Sequence, residues 1–179
     1  MPMRALKHLI IVLGLLLALP TSGPGWAQNR APAPAAGPQK LGVFEDWTAA
    51  RHEEGGRSVC YAFTYPTKSV PPVTGRDKGM LTVTQRPTGR NVVSITAGFI
   101  FPANADVSFN IDQVGLSFYT IQGSAFAKDN PATVAALQRG RQAISRAPGP
   151  RNVPVEHTYS LRGFGQAYAA TVKACPPAQ

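Results

Sequence analysis

The sequence predicts a mainly β fold: an antiparallel β-sandwich or flattened barrel with a short mid-chain helix and a C-terminal helix. Three observations predict it. Apolar and polar residues alternate with period two over most of residues 59–161, as in half-buried strands. Clusters at Pro71-Pro72, Pro87-Thr88-Gly89 and Pro148-Gly149-Pro150 cut that alternation into short segments. Two segments follow helical spacing instead, and no internal repeat at a fixed period is present.

Taken in order, Phe44 and Trp47 lie three apart and read as the closing end of a β core, with Trp47 as a ligand platform the alternative. Val59, Tyr61, Phe63 and Tyr65 share one face of a strand, and Cys60, Ala62 and Thr64 share the other. Leu81 and Val83 alternate with Thr82 and Thr84, and Val93, Ile95 and Ala97 alternate with Ser94 and Thr96. Val107, Phe109 and Ile111 precede Asp112-Gln113-Val114-Gly115, and Leu116, Phe118 and Thr120 follow. That pattern is a hairpin in which Gly115 supplies a positive φ. Arg141–Ser145 and Glu156–Leu161 complete about seven or eight strands.

The mid-chain helix runs from Asn130-Pro131 to Arg139-Gly140. Asn130 suits the cap, Pro131 the first turn, Arg139 the negative end and Gly140 a left-handed stop. In the C-terminal segment, Phe164, Ala167, Tyr168, Thr171, Val172 and Cys175 form one helical stripe. A bond from Cys175 to Cys60 would pin that stripe to the Cys60 face of its strand. The helix would then cover a sheet from outside while Tyr61 and Phe63 face the opposite layer.

The N-terminus reads as a secretory signal over residues 1–27. Arg4 and Lys7 are followed by an apolar run of eleven residues, Leu9–Leu19, and Gly25-Trp26-Ala27 places cleavage after Ala27. A membrane-spanning helix needs about 20 apolar residues, so this run is too short for one. Residues 28–40 are an Ala/Pro-rich stretch expected to be a disordered tether. Residues 41–179 are then a single domain. Cys60 and Cys175 are the chain's two cysteines, and in an oxidising compartment they are expected to pair; two separate buried thiols are the alternative.

Without Arg4 and Lys7 the chain keeps 16 Lys and Arg against 9 Asp and Glu, a net charge of +7. From Lys128 onward seven basic residues face two acidic ones. Arg139, Arg141, Arg146, Arg151 and Arg162 make a candidate basic face for anionic lipid or polysaccharide, against the plainer reading of a solvated surface. No aromatic-and-basic motif for nucleic acid accompanies them.

No catalytic constellation stands out. His52 beside Glu53-Glu54 and Gly55-Gly56 reads as a hairpin tip rather than a metal site. Ser160 and His157 lie three apart on one strand and so point to opposite faces, which defeats a nucleophile–base pair. The nucleophile elbow, the dinucleotide loop and the Walker lysine motif are absent. The expectation is no catalytic residue, no metal and no cofactor.

Four segments together resemble a known family. They are Phe44-Glu45-Asp46-Trp47, Cys60-Tyr61-Ala62, Val83–Pro87, and Glu156–Phe164 with Ala167 and Ala174-Cys175. They resemble the Phe-x-Asp-Trp opening, the Cys-Tyr pair and the Tyr-Ser-Leu-x-Gly-Phe run before a final Ala-Cys of the invasion-associated locus B family, which alphaproteobacteria export. Pro148-Gly149-Pro150 and His157 depart from the pattern. The resemblance implies a non-enzymatic envelope protein with no cofactor, located in the periplasm, associated with the outer membrane or secreted. Founding members are linked to entry of a pathogen into red blood cells. The expected function is binding of an envelope-protein or host-surface partner by a protein that is not integral to the membrane once cleaved. A periplasmic hydrolase or other small-molecule enzyme is the first alternative, and a surface adhesin for anionic glycans is the second.

Overall fold

The computed structural model describes residues 37–72 and 79–177. The signal segment, its cleavage point after Ala27 and tether residues 28–36 lie outside the described residues. Strands β1 (Gln39–Phe44), β2 (Trp47–Glu54) and β3 (Arg57–Thr64) form a meander, and β4 (Lys68–Val70) follows β3 closely. Next come β5 (Met80–Arg86), β6 (Gly89–Thr96), β7 (Val107–Ile111), β8 (Val114–Ile121) and β9 (Ser124–Ala127). Helix α1 (Asn130–Arg139) leads into β10 (Gln142–Pro148). A 3₁₀ turn at Pro150–Asn152 joins β10 to β11 (Pro154–Ser160), and α2 (Phe164–Ala174) is the last element.

All strand pairings are antiparallel, in the order β1-β2-β3-β5-β6-β9-β8-β7-β10-β11-β4. This single eleven-stranded sheet is not closed into a barrel by strand pairing. It curls so that its two ends approach. The Trp47 Nε1–H of β2 donates to the Ser160 carbonyl of β11 at 3.0 Å, and only residues 65–67 separate β3 from β4 at the other end of the sheet. One continuous core fills the inner side, with Trp47, Leu81, Ile95, Phe109, Phe118 and Tyr159 among its largest members. The mainly β class with two helices is as the sequence predicts, with more strands than the period-two pattern counts. Gln39 and Lys40 pair with Arg51 and Ala50, so β1 takes over the last two residues assigned to the tether.

Several local expectations are corrected. Asp129, not Asn130, caps α1: its carboxylate accepts from the Ala132 N–H at 2.9 Å. The Asn130 side chain instead accepts from the Val93 N–H at 2.8 Å and ties α1 to β6. Gly140 is extended rather than left-handed, and its lack of a side chain admits Ile111 and Leu161. In the β7–β8 turn the positive φ belongs to Asp112 at 49°, while Gly115 lies within β8. The Asp112 carboxylate accepts from the Arg141 and Gln142 N–H groups and holds the start of β10.

Helix α2 lies inside the curl, against the inner faces of β1, β2 and β3, rather than outside a sheet. Small Ala49 and Ala62 leave the depth that Phe164 and Ala167 occupy. Phe164 meets Trp47 edge to face at 4.7 Å between centroids. The Cys60 and Cys175 sulfurs are bonded, which fastens the end of α2 to the inner face of β3. Tyr61 and Phe63 therefore face outward, and among the described residues no opposite layer covers them.

Candidate functional site

Strand alternation sends every second side chain of β2, β3, β5, β6, β9 and β8 to the outer face. Register places Thr48, Phe63, Thr82, Ser94, Phe126 and Tyr119 in one row across six strands. That row carries hydroxyls and aromatic rings and no charge. Along β3 the rings form a ladder: His52 to Tyr61 at 5.5 Å, Tyr61 to Phe63 at 5.8 Å and Phe63 to Tyr65 at 5.7 Å. Burial pushes the Tyr61 phenol above its ordinary pKa, and the neighbouring Tyr65 adds to it. Tyr65, Tyr119 and Ile121 are each about half exposed, at 50%, 46% and 55%. Large rings held on a rigid sheet and left in solvent suit recognition of a partner surface.

The groups best suited to chemistry are committed to structure. His157 is buried, with Nδ1 2.7 Å from the Ser69 hydroxyl and Nε2 3.1 Å from the Ala97 carbonyl. Nε2 carries the proton it donates to that carbonyl, and Nδ1 accepts from Ser69. Burial pushes the His157 pKa down, opposed by the bond to Ala97. The Ser160 hydroxyl donates to Asp46 Oδ2 at 2.6 Å and lies on the other face from His157. Tyr159 is fully buried, and burial holds its phenol well above the ordinary range, with Ser145 opposing. His52 packs on Tyr61 at a hairpin whose tip is Gly55-Gly56, both at positive φ. Among the described residues, no three His, Cys, Asp or Glu side chains are grouped to hold a metal ion.

All five arginines of the basic face are exposed, but the structure does not gather them into one patch. Arg146 pairs with Glu156 at 2.6 Å and Arg162 with Glu45 at 2.7 Å. Arg139 and Arg141 lie where α1 meets β10, and Arg151 lies beyond the opposite end of that strand. The seven residues of β10 set these groups on the order of 20 Å apart.

A cleft of about 330 Å³ opens at the Arg151 end, which sequence reasoning missed because its walls are far apart in the chain. Pro71 and Pro72 form one wall, Gly98 and Phe99 a second, and Pro150, Val153 and Val155 the third. Among the described residues, Arg151 at its rim is the cleft's one charged lining residue.

Two of the four matching segments, Phe44–Trp47 and Glu156–Phe164, meet in one corner of the fold. The Thr64 hydroxyl donates to the Asp46 carbonyl at 2.6 Å, and the Asp46 N–H to the Arg162 carbonyl at 3.3 Å. Gly163, at φ 85°, lies so close to the Phe44 carbonyl that a side chain there would collide with it.

A model of the invasion associated locus B (IalB) protein family matches residues 47–172. No curated protein matches the chain. The fold is similar to the crystal structure of invasion associated protein B from Bartonella henselae. The TM-score is 0.55 at 17% identity, over 74% of this chain and 95% of that one. The match spans the Trp47 corner, the disulfide-bearing β3 and most of α2. This chain therefore belongs to the invasion associated locus B protein family.

Proposed function

We propose that the mature protein is an exported, non-enzymatic envelope protein that binds a partner through the outer face of its sheet. The observation that carries this reading is the outward ladder of Tyr61, Phe63 and Tyr65, continued across the sheet by Phe126 and Tyr119. Rings of this size would lower the free energy by burial in a core, yet Tyr65 and Tyr119 are half exposed and Tyr61, Phe63 and Phe126 are only partly covered, over an uncharged row. The buried His157, by contrast, is committed to holding strands together, and the Ser160 hydroxyl to the β1–β2 turn at Asp46. The signal-like N-terminus and the Cys60–Cys175 bond support maturation in the periplasm, with outer-membrane association or secretion following from there. The residues from 28 to the start of β1 then act as a tether and those from β1 onward as one binding domain.

Fractionation of the native cell tests the reading. The protein is expected in the periplasmic or outer-membrane fraction, beginning at Gln28 and with no free thiol. A photo-crosslinker on the outer face should yield a discrete adduct with an envelope component. Full-length, reduced protein in the cytosol would refute the proposal.

A further inference from the structure

We infer that the cleft beside Arg151 holds the alkyl chain of a single-tailed anionic amphiphile, with the Arg151 guanidinium receiving its head group. This deepens the reading of the protein as an envelope binder and rests on that reading for where such a ligand is met. The walls at Pro71, Phe99, Pro150 and Val153 are apolar, and the buried Val155 lies beneath them. Apart from Arg151 the lining side chains offer no donor or acceptor, so an alkyl chain packs on them without leaving a side-chain polar group unpaired. The volume, about 330 Å³, stands at the lower end of small-molecule sites, so it suits one chain and not a two-tailed lipid.

Charge fixes the ligand's sign. Among the described residues no carboxylate lies within ion-pair distance of Arg151, unlike Arg86, Arg146 and Arg162. Arg151 has φ 57°, a left-handed conformation that non-glycine residues adopt at a cost. Its turn is held by the Gly149 N–H on the Val153 carbonyl at 2.9 Å and the Val153 N–H on the Pro150 carbonyl at 3.2 Å. The guanidinium is thus carried on a fixed backbone at the rim.

The walls are also fixed before any ligand arrives. His157 bonds Ser69, two residues before Pro71, and Ala97, the residue before Gly98. One buried imidazole therefore ties two walls to β11, whose first residues approach the third. A preformed cleft binds without the cost of ordering its walls.

Isothermal titration of the purified, disulfide-bonded protein with sodium dodecanoate, below its micelle threshold, tests this. Saturable binding of one dodecanoate per chain is expected, with dodecyltrimethylammonium, the cation of equal chain length, at least about tenfold weaker. Arg151→Asn keeps a residue that tolerates the left-handed backbone and should weaken dodecanoate about tenfold. Val153→Asp, at a half-exposed position, should abolish binding, and Pro72→Glu does the same duty if that variant misfolds. Inorganic phosphate alone should not compete. No saturable heat, equal affinity for the two amphiphiles, binding untouched by these variants, or full competition by phosphate would each overturn the assignment. Failure here leaves the envelope reading standing, because fractionation and crosslinking decide that independently.

Discussion

The Trp47 indole donates to the carbonyl of Ser160 across 113 residues of chain, and the two residues lie on strands from the two ends of the curled sheet. Ser160 returns the contact through its hydroxyl on Asp46, next to Trp47. Two more residues of the same run complete the corner: Gly163 abuts the Phe44 carbonyl and Phe164 packs on the Trp47 ring. The Phe-x-Asp-Trp and Tyr-Ser-Leu-x-Gly-Phe signatures are thus two halves of one joint that keeps the curl from opening.

Trp47→Phe should keep the ring contact and strand the Ser160 carbonyl, costing about 1–3 kcal/mol. Trp47→Ala should cost about 3–5 kcal/mol. Urea denaturation followed by circular dichroism reads both, and a loss below about 0.5 kcal/mol for either would show that the joint is not holding the sheet.

The Cys60–Cys175 bond closes a loop of 115 residues. In the chain-entropy model its removal costs about 4–5 kcal/mol, less any native strain. Cys60→Ser with Cys175→Ser should lower the urea midpoint by a corresponding amount. The α2 amides should lose hydrogen-exchange protection ahead of those in β5 and β6. Unchanged α2 protection would contradict the pinning role.

Acid should loosen the fold through His157. Its pKa is held below the unfolded value of about 6.5, so the unfolded chain binds the extra proton first. The stability from the neutral ring is complete above that value and is lost as pH falls through the lower folded pKa. Among the described residues, Ser69 on β4, Ser145 on β10 and Tyr159 on β11 are its side-chain surroundings, and none of these carries charge in that range. Chemical denaturation at pH 7.5 and 5.0 should show a fall in the wild type that His157→Gln reduces. An equal fall in both would assign the pH dependence to other groups.

Tyr65→Ser and Tyr119→Ser change half-exposed outer rings and should each alter stability by less than about 1 kcal/mol. Both should nonetheless reduce crosslinking of the envelope partner in cells. A large stability loss with unchanged crosslinking would make the rings structural.

The sequence showed the fold where period and spacing are strong. The alternation in β7, β8 and β11 survives as the inward row Val107, Phe109, Ile111, Phe118, Val155 and Tyr159. The α2 stripe buries Phe164, Ala167, Thr171 and Cys175. Strand β2 was hidden because Trp-Thr-Ala-Ala-Arg-His-Glu-Glu has helix-favouring composition, overridden by pairing with β1 and β3 on both sides. Strands β4 and β9, three and four residues long, are too short to show a period. The direction of Tyr61 was unreadable for a different reason. Either face of β3 could be core, and the choice fell to the Ala62 face because α2 needs small residues beneath it. The Arg151 cleft draws on four loops and strand ends, so no local pattern announces it.

The most direct test of the central claim is site-specific photo-crosslinking in intact cells. The probe is Phe63→p-benzoylphenylalanine, with the same probe at exposed Gln138 on α1 as control. A binding surface on the outer sheet predicts one discrete adduct at position 63, recovered with envelope material and absent at position 138. Equal labelling at the two positions, or none at position 63 in correctly folded protein, would contradict it.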